Sequence, residues 1–319
     1  MRPAGGSLLL AFLLAGCCNA GDLRKLSTLA TSTPVRAVSI CGQTGIAAAM
    51  SRDGSIAVWR VASGEVVSKR PSDKSVRVLA CSADAKQLAF GRSDGSVVIA
   101  DIDGSIRRTL TLGTQRIDDL AFSPDSAVLA VAIHESPVQL WNPSRGVRIA
   151  VLETDFSGTH GMDFSPDGAR FATADLDTAV RIYDTSGKLQ AKYTGLLLEP
   201  FAVSFTPDSR QLMVGGADCT LTFLDASDAH VVSTLPKQPD PVFAAAVLPG
   251  EAALSLQIDA ASLKRFTVLL WDLRTKTARE LPIDGRAMVG AGVMANHLPV
   301  LFTADSESAL TAWTLDSSK

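Results

Sequence analysis

The chain has no excess of basic charge. In 319 residues, 30 lysines and arginines stand against 33 aspartates and glutamates, a formal charge of −3 at pH 7. A nucleic-acid-binding surface ordinarily shows a basic footprint, so this balance argues against a nucleic-acid partner. Cysteine is scarce: five residues, at 17, 18, 41, 81 and 219, form no C-x-x-C pair and no metal-ligand spacing. That excludes a zinc ribbon, a thioredoxin-type redox pair and a disulfide-dense scaffold. The four histidines, at 134, 160, 230 and 297, are scattered, and neither H-E-x-x-H nor G-x-S-x-G occurs, which removes the zincin and α/β-hydrolase signatures. The apolar run Leu8–Leu14 holds seven residues, far short of the roughly 20 that a membrane-spanning helix needs. What is present is 46% hydrophobic and 20% charged residues, the composition of an ordered chain able to bury a large core.

The short apolar run follows Arg2 and reads as the hydrophobic region of a signal peptide. Leu14-Ala15-Gly16-Cys17 resembles the lipobox of bacterial lipoproteins, in which the cysteine becomes the acylated N-terminus. The resemblance implies a signal peptide over 1–16, a lipid on Cys17 and a tether over 17–21. No aspartate follows Cys17, which in that family implies the outer membrane, with the protein facing the periplasm. Cleavage after Ala20, giving a soluble secreted protein, is the alternative.

A repeat fills the rest. SRDGSIAVWR (51–60), GRSDGSVVIAD (91–101), AIHESPVQLWN (132–142), LDTAVRIYD (176–184), ADCTLTFLD (217–225), FTVLLWD (266–272) and SALTAWT (308–314) align on Trp59, Ala100, Trp141, Tyr183, Leu224, Trp271 and Trp313. Their spacings are 41, 41, 42, 41, 47 and 42 residues, the period of propeller blades. Six residues before each stands an acid, Asp53, Asp94, Glu135, Asp177, Asp218 and Glu307, except in the sixth repeat, where it is Arg265. Upstream, FSPDS (122–126), FSPDG (164–168) and FTPDS (205–209) are turn sequences, Pro presetting φ and Asp bonding its own backbone.

Together these marks resemble the WD-repeat family over residues 22–319. The resemblance implies an all-β fold, a seven-bladed propeller of four-stranded antiparallel blades. The family's Gly-His pair is missing and a literal Trp-Asp occurs once, at Trp271-Asp272, so the repeated acids are expected to cap tight turns. The last repeat ends one strand short, and Leu23–Leu29 has the pattern of the other fourth strands. It is expected to complete blade seven and close the ring.

Little in the chain carries chemistry. Gly290–Ala295 matches a dinucleotide fingerprint by letters but has no helix behind it, and Asp101–Gly104 is a calcium-loop fragment without its distal glutamate. Cys41 and Cys81 fall near the ends of equivalent strands in adjacent blades, one position out of register, so two buried thiols are expected and no bridge. On the family template the top rim of the channel carries Arg36, Arg77, Asp118, His160, Phe201, Phe243 and Val289, with Arg52 and His134 just before the turn acids. The extra residues of blade six, Gln257–Arg265, are expected to form a long hairpin above that face, with Ser262 and Lys264 on it. Candidate partner-binding residues are therefore Arg36, Arg52, Arg77, His134, His160, Phe201, Phe243, Ser262 and Lys264. No metal and no cofactor is expected. The resemblance implies a monomeric, non-catalytic interaction scaffold whose partners are proteins of the cell envelope. A lactonase-like propeller hydrolase is the alternative, and it would need carboxylates or histidines converging in the channel.

Overall fold

A computed structural model describes residues 23–31, 33–42, 44–154, 158–259, 266–281, 287–293, 299–304 and 309–315. Every regular element among them is a strand, and the strands form seven four-stranded antiparallel sheets. Six sheets are consecutive meanders, as expected where each strand is joined to the next by a short turn. The inner strands, in order, are Val35–Ile40, Val76–Cys81, Ile117–Phe122, Thr159–Phe164, Pro200–Phe205, Val242–Leu248 and Ala287–Val293. Each touches the inner strands of both neighbouring blades, and Val35–Ile40 meets Ala287–Val293 to complete the circle. The N-terminal strand Leu23–Ala30 pairs antiparallel with Ala309–Leu315, from Leu23 opposite Leu315 to Ala30 opposite Ala309. It is the outer strand of blade seven. Leu29 is buried between blades seven and one, and the Ser27 hydroxyl donates to the carbonyl of Val61 in blade one. The ring is thus clasped by its first strand, which completes blade seven as the sequence pattern implies.

Alternation along the inner strands decides which blades touch. In blade two, Leu79 and Cys81 pack toward blade one while Val78 and Ala80 pack toward blade three. This is period-2 geometry put to use between sheets. Among the described residues an apolar cluster fills each of the seven junctions. The outer strands, such as Ile106–Thr111 and Val147–Val151, are largely exposed.

Cys41 and Cys81 are bridged, with Cα atoms 5.0 Å apart, which corrects the expectation of two thiols. The one-position offset is the reason they meet. Ser39 faces blade two, where its hydroxyl accepts the Cys81 N–H at 2.9 Å, and Cys41, two residues on, shares that face. Cys81 lies on the opposite parity of its own strand and faces blade one. Equivalent positions would have pointed the same way round the ring and missed each other. Close approach is completed by Gly42, at φ +52°, where a Cβ would stand 2.2 Å from the Ala83 carbonyl oxygen.

In blades two to five the turns closing the inner hairpins at the bottom face share one design. The Ser123 hydroxyl donates to Asp125, whose carboxylate also accepts the Ala127 N–H at 3.0 Å, and the Val128 N–H donates back to the Ser123 oxygen at 2.9 Å. Ser82–Asp84, Ser165–Asp167 and Thr206–Asp208 repeat the arrangement. At the top, Asp53, Asp94, Asp177 and Asp218 accept the N–H two residues on. These four acids are turn caps, as expected, whereas Glu135 reaches His134 at 3.7 Å and Glu307 lies outside the described residues. Bonds from Ser55 and Ser96 hold the Asp53 and Asp94 carboxyls below their ordinary pKa.

Candidate functional site

Seven residues of the inner strands have no partner across the sheet. In blade one Val35 faces Ser51 and Ala37 faces Met50, leaving Arg36 unopposed. The same shift leaves out Arg77, Asp118, His160, Phe201, Phe243 and Val289. A bulge of this kind bends the strand and re-aims the extra side chain. Here it recurs once per blade at the top end of the inner strand. Every rim position expected from sequence is therefore a bulge; the Val289 side chain lies outside the described residues.

The bulged residues fall into two sectors. In blades one and two, desolvation at the rim, and after it the charges of Arg77 and Arg52, hold the Arg36 pKa below its ordinary value. Among the described residues no carboxylate lies within ion-pair distance of Arg36, Arg52 or Arg77. On the outer side of this sector Arg92 pairs with Asp73 at 2.9 Å. In blades four to six, His160 meets Phe201 edge to face at 5.1 Å, and Phe201 stacks on Phe243 at 4.8 Å with planes 10° apart. Gly161 permits the close approach, since a Cβ there would stand 2.8 Å from the Phe201 carbonyl oxygen. His160 is also held by Glu199, Nε2 to Oε2 3.3 Å. The phenylalanines contact each other and remain half-buried, so they are neither wholly surface nor simple filler. Between the sectors stands Asp118, held by Arg116 at 2.7 Å and by His134 Nδ1 at 2.8 Å. His134 is thus occupied within blade three.

One expectation shifts. Gln257 and Ile258 belong to an extended strand, Ala252–Ile258, that pairs out to Phe266. Gln257 is 2% exposed, and its amide donates to Gln238. The extra residues of blade six therefore lengthen the strands before any loop begins. Ser262, Lys264 and Cys17 lie outside the described residues.

Sequence reasoning did not single out Glu199 or its loop. Leu197 is 89% and Leu198 51% exposed, on the top connection between blades four and five, directly before Glu199 and the bulged Phe201. Three adjacent leucines in a turn segment, 196–198, were the available signal. Also unforeseen is the buried triad in blade four. Arg181, 1% exposed, is held by Asp175 and Asp177, each at 2.6 Å. Burial pushes the Asp175 carboxyl up to about 6 in spite of that partner. Asp163 is buried and accepts the Phe205 N–H of the next blade at 2.8 Å, and its burial likewise raises it. On an outer bottom turn, Asp225, Asp228 and His230 bring potential ligand atoms within 4.8 Å. They serve the turn itself: Asp225 caps Ser227, and Asp228 pairs with His230 Nδ1 at 2.6 Å, raising the imidazole pKa.

Residues 146–184, the last strand of blade three through the third strand of blade four, match the family "WD domain, G-beta repeat". Apoptotic protease-activating factor 1 of Rattus norvegicus is 30% identical over 154 residues, 43% of this chain and 12% of that protein. Protein groucho of Drosophila melanogaster is 25% identical over 215 residues, 64% of this chain and 29% of that protein. An uncharacterized WD repeat-containing protein of Synechocystis sp. is 29% identical over 141 residues, 44% of this chain and 40% of that protein. In each case the chain spans less than half the relative's length. One blade that matches the family model, relatives of this repeat type and seven blades of one architecture together support a WD-repeat protein.

Proposed function

We propose that this chain is a non-catalytic protein-interaction scaffold that is held at a bacterial cell envelope by lipid on Cys17 and binds a protein partner on its top face. The observation that carries the reading is the ring of bulges. One backbone device recurs in all seven blades, yet the residue it presents changes from arginine to aspartate, histidine and phenylalanine. A rigid frame with a varied surface is what recognition needs, and the aromatic and arginine residues are those that interfaces favour. Protein groucho and apoptotic protease-activating factor 1 carry comparable repeats within much longer chains, which fits a recognition module.

Two features support export and orientation. A bridge between Cys41 and Cys81 is the kind of bond that persists in an oxidising compartment. The N-terminal strand enters the ring at its bottom face, where Leu23 lies opposite Leu315. Five residues separate Leu23 from Cys17, a reach of about 20 Å when extended. Lipid on Cys17 would keep the bottom face near the bilayer and turn the top face toward a periplasmic partner.

Two measurements test this. Radioactive fatty acid should label the intact protein and not Cys17→Ser; undiminished label in the variant overturns the anchor. Reversing Arg36 and Arg77 to Glu should weaken capture of the cellular partner, whereas Arg170→Glu with Arg210→Glu on the bottom face should not. The opposite pattern overturns the site.

A further inference from the structure

The rim is divided by charge and by polarity, and the two halves ask for different things. Arg36 and Arg77 occupy the same bulge in adjacent blades, and with Arg52 on the neighbouring turn they form a like-charged cluster with no carboxylate partner among the described residues, in which each cation repels the others. An incoming anion relieves that repulsion and is attracted most strongly where the rim is partly desolvated. Elsewhere on the same face the ring bends toward apolar character. Phe201 and Phe243 are stacked face to face and half-buried, and Leu197 and Leu198 stand out from the adjoining loop. Exposed large apolar side chains on the loop that leads into a half-buried aromatic pair mark a contact surface.

We propose that the top face is a two-part receptor for an extended acidic–apolar segment of the partner protein. Its carboxylates seat on the arginine sector and its aromatic or aliphatic side chains on the phenylalanine pair. The inference rests on the top-face reading above and adds the chemistry of what binds there. A peptide segment fits better than a polyphosphate chain. Asp118 occupies the rim directly beside the arginine sector, and Glu199 borders the aromatic pair. A backbone charged at every unit would meet both, whereas a peptide can place acids at one end and apolar groups at the other.

The test uses four fluorescent synthetic peptides of one length and anisotropy with the full mature protein. One carries three glutamates, a Gly-Ser spacer and a Trp-Leu-Phe block. In the second the glutamates are glutamines, in the third the apolar block is serines, and the fourth has both changes. A single-stranded oligothymidylate is the fifth probe. The full peptide should bind at least tenfold more tightly than either half-probe, and its advantage over the glutamine probe should shrink as salt rises from about 50 to 500 mM. Arg36→Gln with Arg77→Gln should abolish that glutamate advantage and leave the advantage of the apolar block. Phe201→Leu with Phe243→Leu, chosen to keep the packing, should weaken the two probes carrying the apolar block and leave the serine probe unchanged. Equal binding of all four peptides, no binding of the full peptide at millimolar concentration, or tighter binding of the oligonucleotide overturns the proposal. If cellular crosslinks still come from the top face while the peptides fail, the chemistry falls and the site stands. If the crosslinks come from the bottom face, the site itself falls.

Discussion

The two faces of this ring are built from the same strands and could hardly differ more in how they use sequence. At the bottom, four successive inner hairpins close with the same Ser/Thr–Asp arrangement, each satisfying its own donors. At the top the hairpin turns also reuse an aspartate cap, but the bulged position of each inner strand changes its residue from blade to blade: Arg36, Arg77, Asp118, His160, Phe201, Phe243 and, in sequence, Val289. Repetition marks what the fold uses again and again to close its hairpins. Variation on a repeated backbone marks what a fold does not need, and a ligand can use.

If that division is right, damage to closure and to the bottom should cost stability, and damage to the top should cost binding alone. The largest effect is expected from deleting residues 23–29. Blade seven would lose its outer strand and the ring its clasp. Against a total stability of about 5–15 kcal/mol, the product should aggregate or melt far below the intact protein. An unchanged melting temperature would make this strand dispensable. Next is the bridge between blades one and two. It closes a loop with a sequence separation of 40, worth about 4 kcal/mol by chain entropy. Cys41→Ser with Cys81→Ser should therefore lower the urea midpoint markedly, and reductant should do the same to the wild type. A midpoint indifferent to both would show that the blades hold each other without it. A bottom turn comes third. Asp125→Ala removes the acceptor of one hydroxyl and one N–H and should cost about 1–2 kcal/mol in the same assay.

A pH series separates the buried triad from these turns. The Asp175 carboxyl is raised to about 6 in the folded protein, above the unfolded value of about 3.9. A raised carboxyl stabilises the fold most when protonated, so its contribution is full below about 4 and is lost as pH rises through 6. Between pH 7 and 5 the fold should gain on the order of 1 kcal/mol from this group. Asp163 is displaced in the same direction. The melting temperature of Asp175→Asn should therefore rise less on acidification than that of the wild type, and parallel curves would contradict the assignment. Smallest of all is the thermal effect of reversing Arg36 and Arg77 to Glu. Arg36 is exposed and Arg77 half-buried; surface charges without an ion-pair partner contribute little to folding, and relief of their repulsion works against any loss. The melting temperature should stay within a degree or two. A large drop would make these arginines structural and erase the contrast between the faces.

Much of this was legible in the sequence because the repeat is periodic. Blade number, the closing strand Leu23–Leu29 and the rim positions all follow from counting residues along one pattern. The capping role of Asp53 and Asp94 follows from the chemistry of an aspartate two residues before a serine N–H. What counting did not give was relations between blades. The bridge is not legible along a single alignment of the blades, where the offset between Cys41 and Cys81 is a mismatch. Across a junction the offset is what turns the two side chains toward each other. The stacking of Phe201 on Phe243 and the bond from His160 to Glu199 likewise depend on how far apart neighbouring inner strands lie. The pairing of Arg181 with two acids on its own hairpin was within reach, since Asp175 and Arg181 lie across a four-residue turn, but nothing in the pattern indicated that the group was buried.

The claim on which all of this turns is that recognition belongs to the top face. Site-specific photocrosslinking in living cells measures it directly, with the photoreactive residue placed at Arg52 or Phe243 on the top and at Arg170 or Arg210 on the bottom. The account predicts a discrete crosslinked protein species from both top positions and none from either bottom position. A specific crosslink from Arg170 or Arg210, with none from Arg52 or Phe243, would contradict it.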